Sequence, residues 1–113
     1  MKIEEYRFGR VVIEGRTYTT DVIVYADRVT SDWWRREGHE LSVEDLTDVL
    51  REKPEVLVVG TGSPGFMRVL PETRLRLKDE KIELIVKPTE EACALFNTLQ
   101  TIRKAVACLH LTC

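Results

Sequence analysis

Between Ser42 and Thr112 the hydrophobic pattern changes period repeatedly, from helical spacing to short continuous apolar runs and back. Ser42, with Asp45 three residues later, makes a capping-box-like start. Val43, Leu46, Val49 and Leu50 then form an apolar stripe that Pro54 ends. Glu55 to Val59 is a short buried strand, and it runs into the loop Gly60-Thr61-Gly62-Ser63-Pro64-Gly65. Pro71 and Glu72 suit the first turn of a second helix, with Leu75 on its inner side. Ile82 to Val86 is the next strand. Thr89 can cap a third helix that starts with Glu90 and Glu91 and lines one face with Ala92, Leu95, Phe96, Leu99 and Ile102. Ala105 to Thr112 closes the chain as a strand. Strand–helix–strand–helix–strand implies right-handed crossovers, and therefore a largely parallel or mixed sheet.

The first quarter is β in character. Tyr6 to Ile13 alternates aromatic or apolar residues with Arg and Glu, broken at Gly9, and Glu14-Gly15-Arg16 turns it back toward Thr17–Thr20. Asp21 to Ala26 is almost continuously apolar, as expected of a strand buried on both faces. Arg28 to Glu40 is irregular and charged. A chain of 113 residues can bury roughly 60–68% of its unfolded surface. No repeat or low-complexity segment divides it, so residues 1–113 are expected to form one α/β domain preceded by β elements.

Charge and composition narrow the function classes. No apolar run approaches the ~18 residues of a membrane span, so no membrane partner is expected. The balance of 17 basic against 19 acidic residues gives no nucleic-acid footprint. Met1 to Glu5 has neither the apolar stretch of a signal peptide nor the Arg-rich character of a transit peptide, which points to the cytoplasm. One Asn, one Gln and a 32% charged fraction suggest a thermophilic source. Three cysteines (Cys93, Cys108, Cys113) argue against a disulfide framework.

Few residues are arranged as chemistry requires. The loop Gly60–Gly65 matches G-x-G-x-x-G directly after a strand, where backbone amides can approach a phosphate. Pro64 withholds a donor, however, and Lys87 stands where a ribose-binding acid belongs. Phe66-Met67 also replaces the Lys-Ser/Thr pair of a P-loop. Two readings follow: a tight turn, or a pocket for a small anionic ligand built from Gly60, Thr61, Gly62, Ser63, Gly65 and Thr89. Asn97, mid-helix in an amide-poor chain, either bonds a neighbouring loop or contributes to that ligand pocket. The histidines His39 and His110 lie apart, and no set of four closely spaced ligands supports a metal site. The acidic pairs Glu4-Glu5, Asp79-Glu80 and Glu90-Glu91 fall on turns and helix starts, so no catalytic constellation emerges and no cofactor is expected. Trp33-Trp34-Arg35-Arg36, with His39 nearby, concentrates the residue types of interaction hot spots. The plainer alternative packs both indoles over a sheet edge.

Four segments occur in a telling order: Trp34-Arg35-Arg36-Glu37-Gly38-His39, Val58-Val59-Gly60-Thr61-Gly62, Thr89-Glu90-Glu91-Ala92 with Phe96-Asn97-Thr98-Leu99, and His110-Leu111-Thr112-Cys113. Together they resemble a small methanogen-type domain of unknown function. That domain also occurs in the adipogenesis-associated protein of animals and in a mitochondrial assembly factor of respiratory complex I. The resemblance implies a three-layer α/β fold, with an N-terminal β layer beside a central mixed sheet flanked by helices. It implies no reaction and no catalytic residues. Its functional lead is a non-catalytic binding or assembly role with a protein partner. A small-ligand protein or enzyme using the Gly60–Gly65 loop is the alternative.

Overall fold

The computed structural model describes residues 1–113 as an α/β fold with a mixed five-stranded sheet at its centre. The N-terminal residues form β1 (Ile3–Arg7), β2 (Arg10–Ile13) and β3 (Arg16–Tyr18), an antiparallel three-stranded sheet. The sequence pattern joined Tyr6 to Ile13 in one interrupted strand. Instead Phe8-Gly9 is a turn, with Arg7 paired to Arg10, so the break at Gly9 separates two strands. The following turn has only two residues, and both Glu14 and Gly15 take positive φ (50° and 77°). Those values match the twist of adjoining antiparallel strands.

Next come β4 (Val22–Val24) and β5 (Val29–Thr30), a two-residue strand inside the segment expected to be irregular. After β6 (Glu40–Leu41), a 3-10 turn at Val43–Leu46 leads into α1 (Thr47–Glu52). The Asp45 carboxylate accepts both the backbone N–H and the hydroxyl of Ser42 at that start. The rest alternates: β7 (Val56–Gly60), the short β8 (Arg68–Val69), α2 (Pro71–Asp79), β9 (Glu83–Lys87), α3 (Thr89–Leu99) and β10 (Ala105–Leu109). The central sheet has the order β5-β4-β10-β7-β9, with β10, β7 and β9 parallel and β4 antiparallel to β10.

Strand alternation sorts the core into two faces. Val22, Val24, Val56, Val58, Ala105, Ala107 and Leu109 face α3 and the N-terminal sheet, where they meet Phe96, Ile3 and Ile13. Ile23, Tyr25, Leu57, Val59, Val106 and Cys108 face the other way, toward Leu46, Val49, Leu77 and Trp33. The small Ala105 and Ala107 sit on the face toward α3, where Phe96 is completely buried. Leu75 does not point inward as expected. The buried positions of α2 are Thr73 and Leu77, one turn apart, which leaves Leu75 on the solvent side. Ile102 is also exposed, because α3 ends at Leu99 and the helical period stops there.

Candidate functional site

Parallel register brings the ends of three strands level: Leu109 pairs with Gly60, and Gly60 with Lys87. His110, Thr61 and Pro88 therefore lie together along the carboxyl edge of the sheet. Because β4 runs antiparallel and Val22 pairs with Leu109, Asp21 enters this edge beside His110. Arg35 completes a buried charged cluster. Its Nη1 donates to Asp21 Oδ2 at 2.7 Å, and its Nη2 to the Gly38 carbonyl at 2.8 Å. His110 Nδ1 lies 2.8 Å from the same Asp21 Oδ2, and the Leu111 amide donates to Oδ1 at 2.8 Å.

The Arg35 side chain is only 5% exposed, which is costly for a charge unless it is well paired. With the carboxylate as acceptor, His110 carries its proton on Nδ1. The 3.1 Å approach of Arg35 Nη2 to that atom is then a close contact between donors. Nε2 of His110 and Nε of Arg35 are left buried without a partner. Burial pushes the Asp21 carboxyl up, but the bonds from His110, the Leu111 amide and Arg35 outweigh it and hold it below its ordinary value of 3.8. No hydroxyl or thiol of the chain bonds Nε2. What the cluster does is pin the segment that carries the tryptophans to β4 and β10.

That pinning fixes an in-out alternation. Trp33 is buried, and its indole N–H donates to the Asp45 carbonyl at 3.1 Å. Arg35 lies over the Trp33 ring at 4.9 Å. Between them Trp34 is 85% exposed, at the rim of a pocket of about 440 Å³. Asp21, Asp32, Arg35 and Arg36 also line this pocket. Of the five residues proposed as an interaction surface, Trp34, Arg36 and His39 are exposed, whereas Trp33 and Arg35 are inward anchors. The His39 ring packs edge-on between Phe66 and His110, with centroids at 6.4 and 6.0 Å.

The glycine-rich loop has a structural explanation. A Cβ on Gly62, at φ 99°, would lie 2.1 Å from the Thr112 carbonyl oxygen, and one on Gly60 2.9 Å from Thr89 Oγ1. The amides of Thr61, Gly62 and Ser63 donate to the Lys87 carbonyl, Thr89 Oγ1 and the Thr112 carbonyl respectively. They are not free for a phosphate. Thr89 does not cap α3, since Pro88 holds that place. Its buried hydroxyl donates to the His110 carbonyl at 2.6 Å and accepts from Gly62 at 2.8 Å. Asn97 stands apart from the loop: its amide bonds both the N–H and the carbonyl of Ile3, at 2.9 and 2.7 Å, and so ties α3 to β1.

A family model for a protein of unknown function, DUF498/DUF598, matches residues 3–111, a span that contains Asp21, Arg35, Thr89, Asn97 and His110. The chain belongs to the DUF498/DUF598 family. A conserved hypothetical protein from Pyrococcus horikoshii OT3 is 37% identical over the full length of both chains, with a TM-score of 0.86. A protein described as an outer membrane protein from Bartonella henselae is 26% identical over 97% of this chain and 93% of its own, with a TM-score of 0.84. An Mth938-like domain from Bordetella pertussis, 18% identical over 97% and 85%, shares the fold at a TM-score of 0.70. In this DUF498/DUF598 chain no helix is long and apolar enough to cross a membrane.

Sequence reasoning found Arg35 in the DUF498/DUF598 chain but missed its partner Asp21 and the joining role of His110. Asp21 precedes one buried strand and His110 follows another, which is a usable signal. Only the antiparallel placement of β4 beside β10 turns it into a contact.

Proposed function

We propose that this protein is a cytoplasmic, non-catalytic binding module of the assembly-factor kind, which engages a protein partner through the face centred on Trp34. The observation that carries the reading is the alternation at residues 33–35, where two buried anchors hold an exposed indole at a pocket rim. An exposed tryptophan has only two side-chain torsions to fix when it is covered, which suits a hot spot. The pocket also has a charge preference. Arg35 is paired with Asp21 and Arg36 with Glu44, which leaves the Asp32 carboxylate without an ion-pair partner beside the indole. A partner that presents an arginine or lysine side chain meets both groups, through the ring face and the carboxylate. Unpaired thiols in the core, Cys93 and Cys108, fit a reducing compartment.

The test compares the parent with Trp34→Ala and Asp32→Asn. Proteins retained from a native lysate are identified, and the purified partner is then titrated against each variant. Trp34→Ala is expected to weaken binding about thirty-fold, about 2 kcal/mol, with melting unchanged, and Asp32→Asn to weaken it less. An unchanged partner set and affinity for a folded Trp34→Ala protein would overturn the reading.

A further inference from the structure

A second cavity lies at the carboxyl edge, where the chain topology changes direction. Strand β7 leads to α2, which packs with Leu77 on one face of the sheet, whereas its neighbour β9 leads to α3 on the opposite face. Adjacent strands whose loops leave toward opposite faces open a crevice between them, the place where open α/β sheets receive ligands. Here that crevice is a cavity of about 460 Å³, lined by Thr61, Gly65, Arg68, Arg74, Lys87 and Pro88 among others. This volume is in the range of small-molecule sites.

The charge around it is one-sided. Three cationic side chains line the cavity and no carboxylate does, in a chain whose net charge is −2. Arg68 has an exposed partner in Glu40 at 3.2 Å, but neither Arg74 nor Lys87 makes an ion pair. Like charges gathered on a concave surface repel one another unless an anion sits between them. The Gly65 N–H, at the same cavity, donates to no acceptor in the chain, unlike the amides of Thr61, Gly62 and Ser63. The start of α2 adds little, since Pro71 has no N–H and the amides of Thr73 and Arg74 already bond the Leu70 carbonyl.

We propose that this crevice binds a small phosphorylated ligand, its phosphoryl group held by Arg74, Lys87 and the Gly65 amide. The site is separate from the Trp34 face and goes beyond the interaction reading, so either can fail alone. The sequence motif thus marks the right strand end for an anion with the wrong donors: the side chains after the loop, and one amide within it, do the binding.

The experiment titrates inorganic phosphate into the full chain and follows backbone amide shifts by NMR. Chloride and acetate titrations at equal ionic strength serve as controls. Saturable shifts are expected at Gly65, Lys87 and their neighbours with phosphate, larger than with chloride or acetate. Arg74→Gln and Lys87→Gln are each expected to weaken phosphate binding about tenfold or more, as loss of a charge-assisted bond does. Both residues are exposed, so melting temperatures should hold. Phosphate shifts no larger than those of chloride, or affinity unchanged in the double variant, would overturn the site. Acetate matching phosphate would overturn its phosphoryl assignment.

Discussion

At Asp21 one carboxylate satisfies three donors from distant parts of the chain: Arg35, the His110 ring and the Leu111 amide. Asp21→Asn keeps the shape and an acceptor for Leu111 but removes the negative charge, and leaves Arg35 buried without its counter-ion. The expected cost is about 3 kcal/mol, because a buried charge that loses its partner keeps its desolvation penalty. The dependence on pH follows from the direction of the shift. The folded-state pKa is depressed below 3.8, so the carboxylate's contribution is present above that value. It is lost as pH falls through the lower, folded-state value. Urea unfolding of parent and Asp21→Asn should therefore differ fully at pH 5 to 7 and converge in strong acid. A difference independent of pH would mean that the asparagine disturbs packing and that the charge is not the cause.

Among the elements, the carboxyl edge depends on one hydroxyl. Thr89 Oγ1 joins the start of α3 to the β7 loop and to the residue after β10. Thr89→Val keeps the volume and strands the Gly62 N–H and His110 carbonyl in a buried position, at an expected cost of about 2–4 kcal/mol. Thr89→Ser should recover most of it, and chemical denaturation of the three proteins decides the matter. Equal stability of Val and parent would show that the two groups find other partners. The same edge marks the limit of what sequence discloses. Strands β7, β9 and β10 are legible because their apolar runs are short and bounded by Gly, Pro and charge. Helix α3 is legible from its spacing. Helix α2 is legible in extent but not in phase, since Thr73 and Leu77 share the inward stripe and a threonine carries no hydrophobic signal. The Asp21–Arg35–His110 cluster is illegible for a different reason. Its members are separated by 14, 75 and 89 positions, and no local pattern spans such distances. Glycine spacing was visible but ambiguous, because a backbone crossing by Thr112 and a phosphate both demand a missing Cβ.

Across the whole molecule, the two core clusters lie on opposite faces of one sheet, and β4, β7 and β10 supply residues to both. Neither face can lose its packing without loosening strands that the other face needs, so residues 1–113 are expected to unfold as one cooperative unit. Phe96→Ala tests this from the α3 side. Phe96 is completely buried, and its truncation should cost about 3–5 kcal/mol, a fall in melting temperature of more than about 10 °C. Trp33 reports from the other side, where it packs with Tyr25, Leu46 and Met67. In a Trp34→Phe background its fluorescence follows the far cluster alone, while far-UV circular dichroism follows the whole backbone. The cavity left by Phe96→Ala should shift both midpoints by the same amount, because coincident transitions are the mark of two-state unfolding. If the Trp33 signal keeps its parental midpoint while the dichroism falls early, the α3 layer melts separately and the chain is two units sharing a sheet.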